Sequence, residues 1–115
     1  MKLVKAPDPW LQKQVQAFDF DKLDAVAVAD EMIELMEAEG GIGLSANQVA
    51  LDAQIFVIKP YLLTDKTPFA VINPQIEKVS VNTGDEPEGC LSFPDLFMNV
   101  KRPRGIVAKY LDTAG

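Results

Sequence analysis

The stretch Asp21-Lys22-Leu23-Asp24-Ala25-Val26-Ala27-Val28-Ala29-Asp30-Glu31-Met32-Ile33-Glu34-Leu35-Met36-Glu37-Ala38-Glu39, stopped by Gly40-Gly41, decides the fold class. Leu23, Val26, Ile33 and Met36 fall on an approximately helical spacing, and Met32 and Leu35 broaden the stripe. The acidic Asp24, Asp30, Glu31, Glu34 and Glu37 mostly take the other face. Asp21 is placed to cap the start, and glycine ends a helix well at C′. The pattern predicts a helix over 21–39 whose apolar stripe is core. Ahead of it, Pro7 and Pro9 forbid a regular helix, so 1–20 reads as an irregular leader that Trp10, Leu11 and Val15 pin to the body.

Beyond the helix the apolar pattern changes period. Residues 54–59 and 69–73 are β runs rich in branched side chains, ended by Pro60 and Pro74. Residues 75–83 alternate imperfectly between apolar and polar, as a half-exposed antiparallel strand does. Residues 106–111 form the last strand. The fold class expected is α+β, a long N-terminal helix packed against antiparallel sheet, with 1–115 as one domain. The final Asp112-Thr113-Ala114-Gly115 reads as the beginning of a turn, so the domain is expected to be C-terminally incomplete.

Composition narrows the function. The 115 residues are 48% hydrophobic and 24% charged, a globular balance. No segment approaches the roughly 18 apolar residues of a membrane span, and no signal peptide precedes Pro7. The single cysteine excludes an internal disulfide and fits a reducing cytoplasm. The net charge of −6 argues against nucleic acid, whose phosphates call for Lys and Arg. Lys101, Arg102 and Arg104 around Pro103 read as a solvated strand entry. Histidine is absent, which removes every Ser/His/Asp, Cys/His or multi-histidine metal arrangement within these residues.

Two segments have the look of a site. The only cysteine lies in Glu88-Gly89-Cys90-Leu91-Ser92, after the acidic, turn-rich Thr83-Gly84-Asp85-Glu86-Pro87. A core cysteine normally sits inside an apolar run; this one has Gly89 before it, which permits close approach of backbone and ligand. Cys90 is expected half-exposed at a cleft rim, with a satisfied structural thiol as the alternative. Gly41-Ile42-Gly43-Leu44-Ser45-Ala46-Asn47-Gln48 is the other segment. Its glycines allow positive φ and leave N–H groups open to a ligand. The lysine of a P-loop is missing, so a tight turn feeding a strand is the plainer reading. Gln48 carries a primary amide able to donate to a developing oxyanion.

Together, in order and separated by strands, these segments resemble the peptide deformylases. The first is similar to their Gly-φ-Gly-φ-Ala-Ala-x-Gln signature with Ser45 replacing the first alanine, and Glu88-Gly89-Cys90-Leu91-Ser92 matches the second unchanged. The Pro7-Asp8-Pro9 leader and Val100-Lys101-Arg102-Pro103 also resemble the family, so the likeness covers essentially the whole chain. It implies a metal-dependent amidase that removes the N-formyl group from the N-terminal formyl-methionine of new polypeptides, in the cytoplasm and as a monomer. It makes Cys90 a thiolate ligand of a divalent metal, Fe²⁺ in the cell with Zn²⁺ or Ni²⁺ possible. Gln48 and the N–H of Leu91 become oxyanion donors. Ile42, Gly43, Gly89, Gln48 and Leu91 line the peptide site, with Glu88 and Arg102 as outer partners.

The family's third signature, His-Glu-x-x-His, supplies two metal ligands and the general acid/base, and the 115 residues do not contain it. A basic C-terminal helix that helps bacterial relatives dock at the ribosome would lie beyond it. One thiolate does not hold a catalytic metal, which takes about three protein ligands, so these residues alone are expected to be inactive. The alternatives are a module that binds methionine-headed peptides without cleaving them, and pairing with a separate histidine-bearing segment. A thiol-redox role is weaker, since no second cysteine can resolve a disulfide.

Overall fold

The helix forms where the pattern demands one, but its cap and its buried face are shifted. A computed structural model of the chain describes residues 1–60, 67–81, 83–90, 93–103 and 105–115. Helix α1 spans Ala25–Ala38. Its N-cap is Asp24, whose carboxylate accepts from the Ala27 N–H at 3.1 Å. Asp21, the cap expected from the sequence, lies in the turn that precedes the helix, where its N–H donates to the Asp19 carboxylate at 2.9 Å. At the other end Gly40 has φ +70°, its N–H reaches the Glu37 carbonyl, and the Gly41 N–H reaches Met36. This is the paired closure of a Schellman cap.

The buried face of α1 runs through Ala25, Ala29, Met32 and Met36. Val26, expected in the stripe, is 54% exposed. A helix that packs close to a sheet places its smallest side chains at the contact, and only tertiary packing says which stripe that is. Ala25 and Ala29 therefore go inside. Met32 and Met36, fully buried, each contribute about 1.5–3 kcal/mol by leaving water.

The sheet under the helix has the order β1-β2-β3-β6, all antiparallel: β1 Gly43–Ser45, β2 Ile55–Ile58, β3 Phe69–Val79 and β6 Ile106–Leu111. Leu44, Ile55, Val57, Ala70 and Ile72 join the helix residues and Phe18 in one core. Pro74 does not end the strand before it, as the sequence reading expected. Instead β3 continues past it, and its register against β6 shifts between Ile72 and Gln75. Asn73 there has φ +50°, a conformation asparagine tolerates better than most residues, and proline is admitted at such irregularities.

Strands β4 (Thr83–Cys90) and β5 (Phe93–Pro103) form a separate two-stranded antiparallel sheet. From the sequence, 83–87 is expected to be a turn-rich run and Lys101 and Arg102 a strand entry, with no hairpin between them. Gly84, Pro87 and Gly89 depress intrinsic strand preference, but a hairpin partner supplies the ladder whatever the side chains are. Among the described residues no helix is long and apolar enough to cross a membrane.

The leader is fastened by side chains rather than by a backbone ladder. Asn73 clamps Phe18 from both sides, its Oδ1 accepting from the Phe18 N–H at 2.7 Å and its Nδ2 donating to the Phe18 carbonyl at 3.2 Å. Gln54 donates to the Val15 carbonyl at 3.4 Å, and Asp52 accepts from the Gln16 N–H at 3.0 Å. Lys13 lies 3.3 Å from Asp52 and 4.5 Å above the Trp10 ring. Phe18 then enters the core with Phe20 edge-on at 5.0 Å.

Two outcomes follow from this fastening. Asn73→Ala leaves two part-buried peptide groups of Phe18 unpaired and is expected to lower the unfolding free energy in denaturant titration by about 1–3 kcal/mol. The Gln16 N–H, helped by Lys13, holds the Asp52 carboxyl below its ordinary value of 3.8. A depressed folded-state pKa means that the native chain binds fewer protons than the unfolded one, so this stabilisation is present above that value and lost as pH falls through the folded pKa. Asp52→Asn should therefore flatten the acid limb of a stability-against-pH curve below about pH 4 and leave its neutral shape unchanged.

Candidate functional site

The 41–48 segment builds one edge of the four-stranded sheet and the turn after it. Leu44 is buried at 2% exposure and anchors β1, so Gly43 and Ser45 project to the opposite side of the strand. The backbone of β1 pairs with β2 on one side, Gly43 with Ile58, Leu44 with Val57 and Ser45 with Phe56. β1 is the terminal strand of its sheet, so among the described residues the other side of its backbone has no strand neighbour.

Ala46–Val49 then forms a single 3-10 turn, held down by the buried Ala46 and Val49 and closed at Ala50 with φ +56°. Ser45 and Gln48 form a capping box across it. The Gln48 side-chain oxygen Oε1 accepts from the Ser45 N–H at 3.0 Å and lies 3.3 Å from the Ser45 hydroxyl. Gln48 is half-buried. Its own carbonyl accepts from the Val4 N–H at 2.7 Å, and the Asn47 amide donates to the carbonyls of Trp10 and Lys13. The leader is thus tied to both amide-bearing residues of the turn. Asn47 and Ser45 were not read as site residues from the sequence. The available signal was their flanking of Gln48 in one short motif, which does not say which backbone an amide will meet.

The glycines act otherwise than expected. Positive φ falls at Gly40, while Gly43 is extended strand. Among the described residues a Cβ built on Gly43 would meet only the Val57 carbonyl oxygen, at an ordinary 3.8 Å. Neither its conformation nor its surroundings among those residues require glycine. The Ile42 carbonyl accepts from the Lys59 N–H at 2.9 Å, and its side chain is 58% exposed.

Cys90 ends β4, at a break in the hairpin register. Gly89 pairs with Phe97 but Cys90 with Phe93, so one step on β4 matches four on β5. Bulges of this kind are frequent beside active sites. Glu88 stands opposite Met98, and Arg102 opposite Gly84, so the two are not cross-strand partners. Leu91 and Ser92 lie outside the described residues, as does the expected exposure of the Cys90 side chain. The structure therefore gathers Ile42, Gly43 and Gln48 on the β1 edge and turn, and places Glu88, Gly89, Cys90 and Arg102 on the hairpin.

For a metal the donor set is short. No group of three or more His, Cys, Asp or Glu side chains is assembled among the described residues, and the 115 residues hold no histidine. These residues do not by themselves fit a catalytic metal.

The family model described as polypeptide deformylase matches residues 1–115. A peptide deformylase of Agrobacterium fabrum is 36% identical over 114 residues, an alignment covering 98% of this chain and 67% of that protein. The crystal structure of the Thermotoga maritima peptide deformylase superposes with a TM-score of 0.90 at 35% identity, over 99% of this chain and 75% of that one. A peptide deformylase from Synechococcus elongatus, crystallised with actinonin, superposes at 0.90 and 30% identity, over 99% and 62%.

Replacing Asn47 by alanine is expected to loosen the leader selectively. In hydrogen-exchange mass spectrometry the amides of residues 4–16 should exchange faster, and those of 32–36 in α1 only as much as an overall loss of about 1–2 kcal/mol allows.

Proposed function

We propose that this chain, which belongs to the polypeptide deformylase family, contributes the peptide-binding edge and the oxyanion donors of a hydrolase that removes the N-formyl group from the N-terminal methionine of new polypeptides. The observation that carries the reading is the β1 edge: a terminal strand with one unladdered side, ending three residues before a restrained amide. An extended peptide adds to such an edge through main-chain hydrogen bonds. Nothing among the described residues requires Gly43 to lack a side chain, which suits close approach of that peptide's backbone, and the exposed Ile42 side chain suits one wall of a methionine pocket.

In this reading water adds to the formyl carbon, negative charge gathers on the formyl oxygen, and the C–N bond then breaks to give formate and a protonated amine. Gln48 Nε2 and the Leu91 N–H donate to that oxygen as charge develops, where one such donor contributes about 3–4 kcal/mol. Gly89 lets the peptide approach the hairpin, with Glu88 near its Cys90 end and Arg102 at the opposite end as outer partners. Cys90 would serve as one thiolate ligand of the divalent metal on which the family depends, Fe²⁺ by resemblance, and that metal would need further ligands that these residues do not assemble. As an isolated polypeptide the 115 residues are proposed to bind a methionine-headed peptide on β1 without cleaving it. The cytoplasm is the proposed location and a monomer the proposed state.

Formate release from a formyl-Met peptide is the test. The 115-residue chain with added Fe²⁺ should release none. The same residues joined to a His-Glu-x-x-His helix should be active, lose activity on Cys90→Ala, and lose about 10²–10³-fold in kcat on Gln48→Glu. Glutamate keeps the shape and the acceptor oxygen of Gln48 but not the donor. Unchanged activity in Gln48→Glu would remove Gln48 from the oxyanion site.

A further inference from the structure

We infer that the cleft between α1, the start of β3 and the chain around the end of β6 binds a small organic cation with a hydrocarbon body, a primary alkylammonium ion. The cleft has a volume of about 270 Å³. Pockets for drug-sized ligands run to roughly 300–1,000 Å³, so the occupant here is a single short chain. Its floor is apolar. Ala29 on α1 and Ala70 on β3 are buried at 3% and 6% exposure, and two side chains this small leave the space between helix and strand. Ile33 and Phe69, half-buried, continue the floor. Val26 and Tyr110 carry it out to solvent, 54% and 46% exposed. Exposed apolar surface gathered in a concavity marks a binding place where scattered apolar residues do not.

The polar groups of the cleft select the charge of its occupant. Asp30 on α1 and Asp112 just after β6 both line it, and among the described residues no lysine or arginine does. The Ala114 N–H donates to Asp112 Oδ1 at 2.8 Å, which sets the direction of that carboxylate. The ion pair between Lys13 and Asp52 involves neither aspartate. An anion in the cleft would face two like charges. A neutral hydrocarbon would strip water from the carboxylates and replace none of its hydrogen bonds. An ammonium group brings three N–H donors and the opposite charge, while its alkyl stem covers the apolar floor. The Tyr110 ring adds a face that attracts a cation, and the net charge of −6 favours the arrival of one.

The experiment is an NMR titration of the 115-residue chain with hexylammonium chloride, with hexanol and hexanoate as its neutral and anionic counterparts. Hexylammonium should shift the amides of 26–33, 68–70 and 110–113 together, with a Kd on the order of millimolar, as so few non-hydrogen atoms allow. Hexanol should bind more weakly and hexanoate should shift nothing. Asp30→Asn and Asp112→Asn should each weaken hexylammonium about two- to fivefold, the equivalent of one exposed ion pair. Asparagine at 112 keeps an oxygen for the Ala114 N–H, so that turn stays closed. Nα-acetyl-lysine methylamide then separates two sources of the same chemistry. Binding as tight as hexylammonium assigns the cleft to lysine side chains, and weaker binding assigns it to free amines. The inference is overturned if neither cation shifts the cleft amides, if hexanol binds as tightly as hexylammonium, or if both asparagine variants keep the wild-type Kd. No residue of β1 or of the β4–β5 hairpin is among those that line the cleft, so a failed formate assay leaves this result standing.

Discussion

The structure depends on how an unladdered leader has its peptide groups satisfied. Each buried peptide N–H or carbonyl without a partner costs about 1–3 kcal/mol, and the twenty-four residues ahead of the helix contribute to neither sheet. Side-chain amides and one carboxylate solve the problem. Asn73 takes both polar groups of Phe18, Gln54 and Asp52 take Val15 and Gln16, and Asn47 takes Trp10 and Lys13. A carboxamide carries a donor and an acceptor on one carbon, so it can imitate a strand neighbour where no strand fits.

The same fastening serves the candidate site. The amide that holds the leader belongs to Asn47, and the next residue is Gln48, whose carbonyl takes the Val4 N–H. The leader closes over the back of the 46–49 turn while Ser45 holds its side-chain end. A short turn with one buried residue at each end, Ala46 and Val49, acquires from these contacts the rigidity that a donor group in a reaction needs. The neighbouring β1 edge contributes a different quality, an accessible backbone with Gly43 as its least obstructed point.

Much of this was legible in residue order. The helix, the β runs 54–59, 69–73 and 106–111, the α+β class and the family all follow from periodicity and two short motifs. Other features were not. Asp19, Asp21 and Asp24 each have the chemistry of a cap, and only the path of the leader decides which one caps α1. Val26 and Ala25 are neighbours one residue apart, and the sheet surface selects the smaller for burial. Asn73-Pro74 reads as a strand end, yet pairing with β6 carries β3 through it by a register shift.

By itself the sequence determined the type of each long element and the chemical identity of the candidate site, because helical spacing, branched runs and the order Gly-Ile-Gly-Leu-Ser-Ala-Asn-Gln then Glu-Gly-Cys-Leu-Ser are local properties of the chain. Tertiary structure alone decided the hairpin of β4 and β5, the exposure of Val26, and the partners of Asn47, Asn73 and Gln48. Those depend on which distant backbone arrives beside a given side chain. A polar group takes the partner that packing brings within about 3 Å, and no local pattern encodes that arrival.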